Sequence, residues 1–144
     1  MTYTETGLVI EGITKPAIID YFVTINQAEF VKTASLFADQ GILLAPFEKP
    51  IVGRAAIAAY LSKEAKGMKL LPQQRICETE LETEPNCERY KILGKVKTAL
   101  FSVNVGWYFT LSQEDKLATV QIKLLASPQE LLSLQSKQKI ITDY

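Results

Sequence analysis

The chain has no histidine. That removes the commonest general base, the usual partner of a nucleophilic serine or cysteine, and the commonest metal ligand. Cysteine is scarce as well. Cys77 and Cys87 are too few for a zinc site without other soft ligands, and too few to staple a small secreted domain. Neither sign of charge is in excess, because sixteen Lys and Arg balance sixteen Asp and Glu. Without a broad positive field, nucleic acid is not an expected partner. No apolar run approaches the roughly 18–20 residues of a membrane helix. The opening residues MTYTETG lack the basic and apolar stretches of a secretory signal. A reducing cytoplasm is therefore the expected compartment, with both thiols reduced.

What is present is material for a core. The 144 residues are 47% apolar, enough for one ordinary domain and too short for two. Residues 1–144 read as a single domain, with 136–144 a candidate mobile tail. Glu78, Glu80, Glu82 and Glu84 alternate with other residues and read as a solvated strand edge and turn. Cys77 and Cys87 are equidistant from position 82, so the two can face each other across a hairpin or cross-link two chains under oxidation.

The first third has helical spacing. Thr14 is placed to cap a helix whose Pro16 suits the first turn, with Ile18, Tyr21, Phe22 and Ile25 on one face and Asn26 at the end. A second short helix carries Phe30, Ala34 and Phe37 and stops at Asp39-Gln40-Gly41. Ile42 to Leu44 make a short buried strand before Pro46. Gly53 precedes a third helix, Arg54 to about Glu64, with Ile57, Tyr60 and Leu61 inward and Gly67 as its cap. From Lys69 the period becomes two. Tyr90, Ile92, Val96 and Thr98 alternate with cations. Phe101 to Leu111 alternate next, and then Ala118, Val120, Ile122 and Leu124. Ser127-Pro128 opens a last helix through Leu131, Leu132 and Leu134. Helices first and strands after predict an α+β fold: a cone-shaped curved sheet, mixed or antiparallel, with helices on its concave side around a cavity.

Two inward residues stand out for chemistry. Tyr21 and Trp107 each combine a large apolar body with one hydrogen-bond donor. Either both donate to one carbonyl oxygen in the cavity, or each is a core aromatic bonded to backbone. No carboxylate falls on the apolar strand faces, so the cleft is expected to hold no acid or base and the protein is not expected to be an enzyme. No metal is expected.

The stretches PFEKPIVGRAAIAAYL (Pro46 to Leu61), MKLLP (Met68 to Pro72), GKVKT (Gly94 to Thr98) and KLLASPQELL (Lys123 to Leu132) carry a family resemblance. Over roughly residues 10 to 134 the chain resembles the C-terminal domain of the cyanobacterial orange carotenoid protein and its stand-alone homologues, the carotenoid carriers. The resemblance implies the nuclear transport factor 2-like cone and a ketocarotenoid ligand, canthaxanthin or echinenone. It implies that Tyr21 and Trp107 donate to the ring keto oxygen, with Ile25, Met68, Leu70, Val96, Leu100, Ile122 and Leu124 lining the ligand. It further implies photoprotection, carotenoid transfer and singlet-oxygen quenching in the cyanobacterial cytosol near thylakoids. The implied partners are a second copy sharing one carotenoid, a helical carotenoid protein, and a membrane during uptake.

The chain departs from the family in places. Thr98-Ala99-Leu100-Phe101 stands where the family has Thr-Pro-Trp-Phe, so Leu100 replaces an aromatic wall. Ala65 replaces a cysteine. The same cone hosts ketosteroid isomerases and polyketide cyclases, which is the alternative reading. The isomerase base would fall just before Pro46, where this chain has Ala45. A plain dimerisation module is a third reading.

Overall fold

Among the described residues, three helices and six strands follow the sequence patterns that encode them. They are α1 (Pro16–Asn26), α2 (Phe30–Ser35), β1 (Phe37–Leu44), β2 (Ile51–Val52), α3 (Arg54–Glu64), β3 (Lys69–Ile76), β4 (Glu88–Lys97), β5 (Ser102–Leu111) and β6 (Leu117–Leu125). The computed structural model describes residues 10, 12–76 and 88–125. Cys77, Cys87, the acidic run 78–84, the helix expected from Ser127 and the 136–144 tail lie outside the described residues.

The strands form one curved sheet in the order β2-β1-β6-β5-β4-β3. All its pairs are antiparallel except β1 with β6, which is parallel. The fold is α+β, as the grouping of helices before strands predicts. The inner face carries Ile92, Val96, Val105, Trp107, Phe109 and Val120, and the helices bring Ile18, Tyr21, Phe22, Ile25, Ile57 and Leu61 against it. On the outer face Lys91 and Lys123 lie over the Tyr108 ring, 5.3 and 4.9 Å from its centre. That is the wet side expected from the alternating cations.

Several local expectations are corrected. The residue before α1 is Lys15, without a side-chain cap, and Thr14 does not cap the helix. α2 ends at Ser35, and Phe37 opens β1 fully buried. Asp39-Gln40-Gly41 is no helix stop but lies within β1. The β1–β6 register shifts between Phe37 and Ile42. A β-carbon on Gly41 would stand 2.9 Å from the Phe37 side chain, so the irregularity needs glycine there. In β6 the inward residue is Leu117 rather than Ala118, because the register shifts between Thr110 and Leu111. Gly67 takes φ +86 in the turn after α3, whose cap is Ala65.

Two polar clasps hold the helices to the sheet and to each other. Asn26 at the end of α1 donates from Nδ2 to the Leu70 carbonyl at 2.9 Å and accepts the Leu70 N–H at 2.7 Å. Its side chain thus imitates a strand beside β3. Buried between α1 and α2, the Thr24 and Thr33 hydroxyls meet at 2.6 Å.

Candidate ligand-binding site

Between the inner sheet face and the helices lies a cavity of about 360 Å³. That is within the range of small-molecule sites. Burial separates its floor from its mouth. Tyr21, Leu43, Val105 and Trp107 line the floor and are buried, while Phe47, Phe101 and Leu124 line the mouth and are exposed.

The floor is organised by aromatic packing. α1 presents Tyr21 and Phe22 side by side, and β5 presents Trp107 and Phe109, two residues apart on one face. The Tyr21 ring meets Phe109 edge-on at 5.2 Å, and Phe22 meets Trp107 edge-on at 4.8 Å. Tyr21 and Phe22 are themselves edge-on at 5.3 Å. Phe22 therefore fixes both donor-bearing rings at once. Behind Trp107, a β-carbon on Gly94 would press on the Leu71 carbonyl oxygen and lie 3.0 Å from Trp107 Cζ3. Gly94 lets the indole and β3 sit where they do.

Tyr21 and Trp107 are each only 1% exposed. Among the described residues neither the Tyr21 hydroxyl nor the Trp107 indole N–H has a hydrogen-bond partner. Buried polar groups are nearly always paired, so two orphan donors on one cavity are exceptional. Burial pushes the Tyr21 phenol above its ordinary pKa, with Tyr60 adding to the rise. The hydroxyl is therefore a proton carrier and donor over the whole physiological range. Tyr60, half-buried in the lining, is raised by burial first and then by Glu48 and Glu64.

Of the residues singled out in the sequence, the cavity brings together Tyr21, Trp107, Ile25, Met68, Leu70, Val96, Ile122 and Leu124. Leu100 is outside the lining and 88% exposed. The reason is a tight turn: the Thr98 N–H donates to the Phe101 carbonyl at 2.8 Å, and the Leu100 and Phe101 N–H groups donate to Thr98 Oγ1 at 3.2 and 3.1 Å. That turn sends Leu100 to solvent and gives Phe101 the lining position. The cleft is also not free of carboxylates, since Glu48 and Glu64 belong to its mouth. Phe47 and Tyr60 also line the cavity; helical spacing marks Tyr60 only as inward. The Pro46-Phe47 pair within PFEKPIVG was the available signal for Phe47. Among the described residues no cluster of three or more potential metal ligands occurs, and no helix is long and apolar enough to cross a membrane.

No protein-family model matches the chain. It is 40% identical over 134 residues to the orange carotenoid-binding protein of Limnospira maxima, which covers 90% of this chain and 41% of that protein. It is 36% identical over 136 residues to the one from Synechocystis, covering 92% of this chain and 42% of that protein. Among solved structures it is similar to the orange carotenoid protein of Anabaena (Nostoc) that binds canthaxanthin, with a TM-score of 0.77 and 35% identity over 88% of this chain and 41% of that one. More distant structures, 22% and 10% identical, share the fold alone. The chain spans about two fifths of the length of the curated relatives it matches. It is homologous to the C-terminal, nuclear transport factor 2-like domain of the orange carotenoid-binding proteins.

Proposed function

We propose that the cavity binds the keto ring of a carotenoid such as canthaxanthin or echinenone, with Tyr21 and Trp107 donating to one carbonyl oxygen. The observation that carries this reading is the pair of orphan donors on a single, largely apolar floor. A keto oxygen buried without partners costs about 1–3 kcal/mol, and each orphan donor costs a similar amount. The two deficits cancel when they meet. The apolar lining, Ile25, Leu70, Val96 and Ile122 among it, gains roughly 25 cal/mol for each Å² of ligand surface removed from water. A bound ketocarotenoid supplies the colour and the capacity to quench singlet oxygen. The protein's residues hold its ring, exclude water and pull electron density toward the carbonyl.

The family relationship supports carotenoid binding in photoprotection as the setting; carriage of the pigment is the task proposed here. Such a rod is about as long as a domain of this size is wide, so one cone covers only part of it. The projecting part is covered by a second copy sharing the pigment about a two-fold axis, or by a helical acceptor protein that receives it.

The test is expression in a host that makes canthaxanthin, followed by an absorption spectrum of the purified protein. The expected result is a stoichiometric band red-shifted from that of the free pigment. A colourless protein refutes the proposal. An isomerase or cyclase reading has less support. Ala45, buried, occupies the position where the resemblance puts the base, and Glu48 and Glu64 lie at the mouth rather than beside the floor donors.

A further inference from the structure

Apart from Thr98, whose hydroxyl is engaged in its own turn, the polar side chains of the cavity lie at its two ends. Tyr21 and Trp107 are on the floor. Glu48, Tyr60 and Glu64 are at the mouth. Tyr60 and Glu64 stand one turn apart on α3, so they share a face of the helix. A tight turn brings Glu48 to the same opening: its N–H donates to the Ala45 carbonyl at 3.3 Å, and Phe47 between them holds φ +65. Among the described residues none of these three mouth side chains has a hydrogen-bond or ion-pair partner.

The mouth groups act on one another. Burial raises the Tyr60 phenol first, and Glu48 and Glu64 then raise it further, so both carboxylates reach that hydroxyl with their field. Tyr60 in turn adds to the rise that burial causes at Tyr21, which sets the two polar ends within electrostatic reach across the cavity. A polyene leaving through the mouth passes this trio by, because it has no donor for the carboxylates and no acceptor for the phenol. A ligand that ends there in a hydroxyl engages all of it, since that group donates to a carboxylate and accepts from the phenol. The volume agrees: about 360 Å³ is at the small end of ligand sites, room for a small molecule buried whole.

We propose that the cavity also takes a short ligand whole, a ring-oxidised isoprenoid alcohol, with its ring ketone on the Tyr21 and Trp107 donors and its hydroxyl at Tyr60, Glu48 and Glu64. This rests on the carotenoid reading for the floor and adds the mouth as a second point of recognition. A carboxylate at the outer end would be repelled by Glu48 and Glu64, and a ketone there would leave both without a donor. Two polar ends joined by an apolar wall thus select the length of the ligand as well as its chemistry.

Trp107 is the sole tryptophan of the chain, so its emission reports the floor directly. The test is titration of the unloaded full chain with three compounds on one skeleton: 4-oxo-β-ionol, which has both groups, β-ionol, which lacks the ring ketone, and 4-oxo-β-ionone, which has a ketone in place of the alcohol. 4-Oxo-β-ionol is expected to change the emission and to bind one per chain, with a dissociation constant in the micromolar range. β-Ionol is expected to bind at least about tenfold more weakly, because it leaves both floor donors unpaired. 4-Oxo-β-ionone is expected to bind at least about threefold more weakly. Tyr60→Phe, and Glu48→Ala combined with Glu64→Ala, are each expected to erase the preference for the alcohol and to keep that for the ring ketone, with an unchanged thermal melt. Absent binding, or equal binding of the three compounds, overturns the proposal. So does a preference for the alcohol that survives both sets of substitutions, which would place the hydroxyl elsewhere. A chain that is coloured in the canthaxanthin host but ignores 4-oxo-β-ionol keeps the pigment reading and loses the short ligand; a colourless chain that binds it with both preferences does the reverse.

Discussion

Tyr21 and Trp107 invert the usual relation between stability and function. A buried hydroxyl without a partner is a cost in the unloaded protein, so Tyr21→Phe is expected to raise the stability of the unloaded protein by about 1 kcal/mol. The same change is expected to weaken pigment retention and move the absorption band to the blue. Urea midpoints of the unloaded protein, read beside spectra of the loaded one, check both halves. A Tyr21→Phe protein that is less stable when unloaded would mean that the hydroxyl has a structural partner. Trp107→Phe is expected to lower stability by about 1–3 kcal/mol through the space it leaves, and to weaken retention too.

Titration of Tyr21 gives a second prediction at this scale. Burial holds its folded pKa above the ordinary 10.0. Above that pH the unfolded chain releases the proton while the folded chain keeps it, so stability falls as pH rises. Tyr60, raised in the same direction, adds to the slope. The urea midpoint is expected to hold steady up to about pH 9 and to decline beyond about pH 10, less steeply in Tyr21→Phe.

Among the elements, the meeting of α1 with β3 governs the shape of the cavity. Asn26 ties the two together next to Ile25 and Leu70, both in the lining. Asn26→Ala leaves the Leu70 N–H and carbonyl without these bonds. It is expected to cost about 1–3 kcal/mol in a urea melt. Gly94→Ala drives a methyl into the Leu71 carbonyl oxygen and toward the indole. It is expected to cost about 1–3 kcal/mol and to shift the Trp107 fluorescence of the unloaded protein. Chain pattern revealed the helices and the long strands because one face of each is buried, and burial writes its period into the residue types. α3 was legible at its start, where Gly53 precedes Arg54, and approximately at its end near Glu64. β1 was not, because an irregular register carrying Asp39, Gln40 and Gly41 looks locally like a turn. At the start of β6 the alternation points to Ala118, whereas a register shift between Thr110 and Leu111 turns Leu117 inward and leaves Val120 and Ile122 on the expected face. The cavity floor was legible as apolar alternation. Its orphan donors and the outward turn of Leu100 were not, since both depend on hydrogen bonds that spacing does not record.

For the molecule as a whole, association follows the pigment. Burial of the part of the rod that projects from one cone draws two loaded copies together, and salt does not screen apolar burial. Dimerisation of the loaded protein is therefore expected to exceed that of the unloaded one and to persist as ionic strength rises, by sedimentation velocity. A dimer that forms equally well without pigment would place the interface elsewhere.

The parallel pairing of β1 with β6 joins one of the first strands to the last described one. A ribosome must release the chain through Leu125 before β1 gains that neighbour and before Ile122 and Leu124 reach the cavity wall. During synthesis the helices and the β4–β5 hairpin can form by local contacts, but the container itself is closed last.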